Sequence, residues 1–147
     1  MTESSPLHLN RWHTVVFQHD GQELLAILAE DVIFRSPFQW RPYQGRQATW
    51  LILTTVSVVF QDFAYHRELI DGNDWALEFS AQVGDLSVKG IDLIRLDDDG
   101  LIVEFEVFIR PASGLKALGL EMARRLKQDS ENRDGPDLAK QPAPPTR

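Results

Sequence analysis

LSVKGIDLIRLDDDGLIVEFEVFIRP, residues 86–111, reads as two β-strands joined by an Asp-rich turn at Asp97-Asp98-Asp99-Gly100. Alternation puts Val88, Gly90, Asp92, Ile94 and Leu96 on one face of the first strand. That face is apolar except for Asp92. A carboxylate on an inward strand face is costly unless it is paired, hydrogen-bonded or protonated. The stretch therefore predicts a sheet whose inner face carries one acidic group over an apolar floor.

Upstream of it the chain continues as a β-meander. Residues 63–70 form a strand, and Asp71-Gly72-Asn73-Asp74 has the composition of a turn. Residues 75–83 then alternate, with Leu77, Phe79, Ala81 and Val83 inward and Glu78, Ser80 and Gln82 outward. Gly84-Asp85 closes a tight hairpin back to the opening stretch. His66 falls on a strand whose facing the pattern does not decide.

The first half is helical. From Leu7 an amphipathic helix carries Leu9, Trp12, Val16 and Phe17 in one stripe, and His19-Asp20-Gly21 ends it. A second short helix, residues 22–29, leads through Glu30-Asp31 into a strand over 32–35 that stops at Ser36-Pro37. A loop rich in aromatics follows, residues 38–45. Residues 46–60 are β-branched in composition but read as a helix, since so long a strand without alternation would be unusual. After Pro111, Ser113 is placed to cap a last helix with Leu115, Leu118 and Met122 on one face and Arg124-Arg125 near its end. Residues 129–147, with prolines and almost nothing apolar, are expected to be a disordered tail. The folded domain is thus expected over 1–128.

Bulk properties agree with one globular domain. The chain has 147 residues, 43% of them hydrophobic, enough to bury a core. A formal net charge of −7 argues against nucleic acid or an anionic membrane as partner, because both demand a basic face. The absence of cysteine removes disulfides, thiolate metal sites and a thiol nucleophile. No basic-then-apolar leader opens the sequence and no run is long enough to span a membrane, so a cytoplasmic protein is expected. The Asp97–Asp99 run lacks the alternate spacing and distal Glu of a calcium loop. No phosphate loop, dinucleotide fingerprint or His pair at metal spacing is present, and neither a metal nor a cofactor is implied.

The order helix, helix, strand, helix, meander resembles the α+β cone of the NTF2-like superfamily, nearest its SnoaL-like and ketosteroid-isomerase-like branch. Three motifs carry the resemblance: residues 29–37 (AEDVIFRSP), residues 45–48 (GRQA) and residues 90–102 (GIDLIRLDDDGLI). It implies N-terminal helices packed on a curved, antiparallel or mixed sheet that encloses an apolar pocket. It also implies a homodimer through the outer sheet face, where Ile91, Leu93 and Phe108 would lie beside Glu104, Glu106 and Arg110.

For the site, the resemblance puts Asp92 where the steroid isomerases hold a protonated acid that donates to an oxyanion. Burial makes that chemistry available to it. His13 falls near the position of their oxyanion-binding Tyr and is expected to pair with Asp92 or to act as a base. Ser36 replaces their general-base Asp, which speaks against steroid isomerisation. Val107 replaces the second Asp of the epoxide hydrolases of this fold. SnoaL-type cyclases need one pocket Asp, which Asp92 would satisfy. Trp12, Ser36, Phe38, Trp40, Tyr43, Leu77, Phe79 and Phe105 are expected around the ligand. Three functions remain: a cofactor-independent acid–base enzyme, a module binding a small apolar molecule, and an adaptor using the outer face.

Overall fold

Strand β5 (Leu86–Leu96) is buried at every second residue from Val88 to Leu96, and this alternation organises the molecule. The computed structural model describes residues 6–134. In order, the elements are α1 (Pro6–Gln18), α2 (Gly21–Ile27), β1 (Leu28–Arg35), β2 (Tyr43–Gln44), α3 (Arg46–Val59), β3 (Gln61–Asp71), β4 (Asp74–Val83), β5, β6 (Ile102–Arg110) and α4 (Ala112–Asp134). The six strands form one unclosed sheet in the order β2-β1-β6-β5-β4-β3. β3 to β6 are antiparallel neighbours, whereas β1 runs parallel to β6. The fold is α+β, with four helices packed against a mixed sheet.

Local chemistry explains the elements. Gly45, at φ 100°, starts α3, and the hydroxyls of Thr49, Thr54, Thr55 and Ser57 donate back to carbonyls one turn earlier. Those bonds let a β-branched segment stay helical with its hydroxyls satisfied. The Asp97 carboxylate accepts from the Asp99 and Leu101 amides at 2.9 and 3.0 Å, so the acidic run is a self-capped hairpin turn. Gly100, at φ 86°, completes it.

Three boundaries differ from the sequence reading. The second helix stops at Ile27 and β1 begins at Leu28, because Leu28 already pairs with Ile102 of β6. Ser113 does not cap α4; the helix begins at Ala112, and the Leu115 amide donates to the carbonyl of Pro111. The same helix runs to Asp134, past the domain boundary expected at 128. The rest of the expected tail, residues 135–147, lies outside the described residues.

The core has two parts. One joins Trp12, Leu24, Val32, Phe34, Leu77, Ile94 and Phe105. The other joins Val59, Ala81, Val83 and Val88 to Leu118 and Met122 of α4. On the outer face Ile91, Leu93 and Phe108 are 41–49% exposed. His66 also points outward, with Nε2 2.7 Å from Ser80 Oγ. Among the described residues no helix is long and apolar enough to cross a membrane.

At Gly90 packing leaves no room for a side chain. It pairs with Phe79, whose ring stacks on Phe63 at 5.1 Å. A methyl group there would meet the Phe108 carbonyl oxygen and stand 2.6 Å from the Phe79 ring. Gly90→Ala is therefore expected to lower stability by about 1–3 kcal/mol, the usual penalty for overpacking, as read from urea unfolding.

Candidate functional site

Between sheet and helices lies a cavity of about 530 Å³ with a mostly apolar wall. β5 presents Asp92 to it, flanked on the sheet by Leu77 of β4 and Val107 of β6. Trp12, Val15 and Val16 come from α1, Leu53 and Val56 from α3, and Phe34 and Phe105 from the parallel strand pair. Leu118, Met122 and Leu126 of α4 close a further side, while Ser36, Pro37, Phe38 and Tyr43 bring the loop before α3.

Asp92 is 7% exposed and does not stand alone. Tyr65 of β3 donates its hydroxyl hydrogen to Asp92 Oδ2 at 2.6 Å. Trp12 Nε1 in turn donates to Tyr65 Oη at 2.9 Å. Phe63 and Phe17 meet the Tyr65 ring edge-on at 5.0 and 6.0 Å, so the phenol is held in an aromatic frame.

Burial pushes the Asp92 carboxyl up to about 7, against the opposing pull of the Tyr65 hydrogen bond. Burial also raises Tyr65 well above the usual phenol range, and the Asp92 charge adds to that. Tyr65 therefore stays a neutral phenol while Asp92 changes protonation state near neutral pH. With Asp92 protonated, the pair offers an acid hydrogen to whatever occupies the cavity. With Asp92 ionised, Tyr65 stabilises the carboxylate.

Several expected site residues sit elsewhere. His13 does not pair with Asp92: its Nε2 lies 2.6 Å from Glu68 Oε2, and its ring stands 5.9 Å from that of Tyr65. It is one residue past Trp12 on α1, which turns it away from the cavity and behind the phenol. Leu77 and Phe79 are fully buried beneath the wall, with Phe79 stacked on Phe63 and tilted against Phe60. Trp40 is 96% exposed at the tip of its loop and takes no part in the wall.

Trp12, Ser36, Phe38, Tyr43 and Phe105 do line the cavity. Ser36 Oγ accepts the Phe38 amide at 3.2 Å and so acts as the pivot of a turn. The sequence reading omitted Tyr65. A strand was visible there, but two register shifts in β3 break the alternation that would have shown Tyr65 facing inward. Among the described residues, no cluster of three or more His, Asp or Glu is arranged to hold a metal ion.

Known proteins place this geometry in a family. A SnoaL-like domain matches residues 9–105. The chain is similar to a steroid delta-isomerase from Pseudomonas aeruginosa, with 50% identity, a TM-score of 0.81, and 85% of this chain and 93% of that one covered. It is also similar to an uncharacterised bacterial protein with a cystatin-like fold from Silicibacter pomeroyi, at 40% identity and TM-score 0.80, covering 84% and 88%. A putative ketosteroid isomerase from Kribbella flavida shares the fold at 21% identity and TM-score 0.61, covering 74% and 79%. No curated protein matches the chain. The half-identical neighbour and the domain match agree, and the chain shares its α+β fold with NTF2-like proteins: it belongs to the SnoaL-like family.

Proposed function

We propose that the cavity binds a small apolar molecule carrying one carbonyl or comparable hydrogen-bond acceptor, and that protonated Asp92 donates to that acceptor. The observation that carries this reading is the Trp12–Tyr65–Asp92 hydrogen-bonded chain, which ends on a mostly apolar wall. In such a site a neutral acid stabilises negative charge developing on a carbonyl oxygen, as an oxyanion donor does. The similarity to a protein named as a steroid delta-isomerase supports chemistry of this class.

Ser36 limits how far the parallel extends. A hydroxyl engaged as the acceptor of a turn is a poor general base, and Val107 faces Asp92 where a second carboxylate would be needed for water activation. The reading therefore stops at ligand binding with acid-type stabilisation by Asp92, without a cofactor. A non-enzymatic binding module would use the same contact.

Binding separates the polar contribution from the apolar one. A cyclic ketone and its parent hydrocarbon, drawn from steroids and terpenes, are compared by titration on wild type and Asp92→Leu at pH 6. Wild type is expected to prefer the ketone by about tenfold, the worth of one buried hydrogen bond, and the variant to show no preference. The wild-type preference should fade above pH 7, where the carboxylate no longer donates. Equal preference in both proteins would remove Asp92 from the ligand contact.

Stability should report the same group. A carboxyl raised in the folded state contributes stability that is full below its unfolded value of 3.8, declines as pH rises, and is gone past about 7. Glu78 and Glu121, held low by arginine partners, act oppositely and lose their contribution only in acid. Between pH 5 and 8, wild type should therefore lose stability relative to Asp92→Asn by a few kcal/mol, as measured by urea unfolding at each pH. Parallel pH curves for the two proteins would show that Asp92 ionises normally.

A further inference from the structure

Strand β3 changes register between Tyr65, which pairs with Phe79, and Glu68, which pairs with Leu77. His66 and Arg67 together stand opposite the single residue Glu78, which defines a β-bulge. Because of it, Tyr65 and Glu68 share the inward face, as their inward partners Phe79 and Leu77 require. An unbroken strand would put residues three apart on opposite faces. Both inward side chains then meet α1: Tyr65 accepts from Trp12, and Glu68 lies 2.6 Å from His13.

The outer face holds the bulge. Glu78 Oε1 accepts the Arg67 backbone amide at 3.2 Å and Arg67 Nε at 2.7 Å, and Oε2 accepts Arg67 Nη2 at 2.9 Å. Lys89 Nζ lies 2.8 Å from the same Oε2. Beneath these two cations Glu78 is only 7% exposed, although it points away from the core. The carboxylate therefore supplies the acceptor that the displaced backbone N–H needs.

We propose that Glu78 is a positioning residue: from the outer face it clamps the His66–Arg67 bulge, and the bulge aims Tyr65 at Asp92. Its importance for binding rests on the reading of Asp92 as the ligand-facing acid, whereas the clamp itself is tested without a ligand. The groups arrayed around the clamp are Arg67 and Lys89 outside, with Tyr65, Asp92, Glu68 and His13 inside.

The test is a carbon-detected NMR titration of the Asp92 carboxyl in the full chain. Tyr65→Phe removes the donor and should move the midpoint upward by about 0.5–1 pH unit, the scale of one hydrogen bond. Glu78→Ala should move it upward to a similar extent, and the double variant should move it no further than either single change. Glu78→Gln, whose amide oxygen still accepts from the Arg67 backbone, should keep the wild-type midpoint. A folded Glu78→Ala protein with an unchanged midpoint, or additive shifts in the double variant, would overturn the clamp. If Glu78→Ala does not fold, Glu78→Met takes its place, filling the same space without an oxygen to accept from the Arg67 backbone amide: an upward shift supports the clamp, and no shift refutes it. A wild-type midpoint in the ordinary carboxylate range would defeat the ligand-facing acid, while the comparison among variants would still decide the clamp.

Discussion

The hydrogen bond from Tyr65 to the buried carboxyl of Asp92 is the constraint around which the inner face is built. A carboxyl group in an apolar cavity is tolerated only if it is neutral, or if its charge is met by a donor. Here the two solutions coexist. Burial favours the neutral acid, Tyr65 favours the carboxylate, and the balance falls near 7. Tyr65 in turn needs an acceptor and a donor of its own, and Trp12 supplies the donor from the first helix. A helix, an edge strand and a central strand are thereby tied together by two hydrogen bonds across one cavity.

The sheet is regular where β4 pairs with β5 beside Asp92 and irregular one strand further out, at the β3 edge that supplies Tyr65. β4 and β5 alternate without interruption, because their inner residues make the floor of the core. β3, at the sheet edge, departs from regular pairing twice, and the second departure presents Tyr65 and Glu68 together to α1. Edge strands accommodate such bulges at small cost, since only one neighbour must follow. The ion pairs over Glu78 and the aromatic frame around Tyr65 fix the irregular strand from opposite faces.

Much of this was legible in the residues themselves. The alternation of 75–83 and 86–96 gave the meander, and the one polar residue on the inner face of 86–96 singled out Asp92. The helix expected over 46–60 forms over Arg46–Val59 despite its β-branched composition, because four hydroxyl side chains return their donors to the helix backbone. What stayed hidden depends on contacts between distant segments. Nothing near Tyr65 in sequence announces a bulge whose partner is Glu78, or an indole donor on a helix 53 residues away. The pairing of His13 with Glu68 was missed for the same reason, since the bulge alone turns Glu68 inward. Trp40 and Phe38 share a loop, yet one is almost wholly exposed and the other lines the cavity, a difference that loop composition does not encode.

The central claim is that Asp92 is a carboxylic acid poised to donate near neutral pH. Isotope-edited infrared spectroscopy of the ligand-free protein, labelled at Asp, reads that state from the carbonyl stretch. The account predicts a protonated-carboxyl band at pH 5 that disappears with a midpoint of about 7 and is missing from Asp92→Asn. A spectrum showing only carboxylates from pH 5 upward would contradict it.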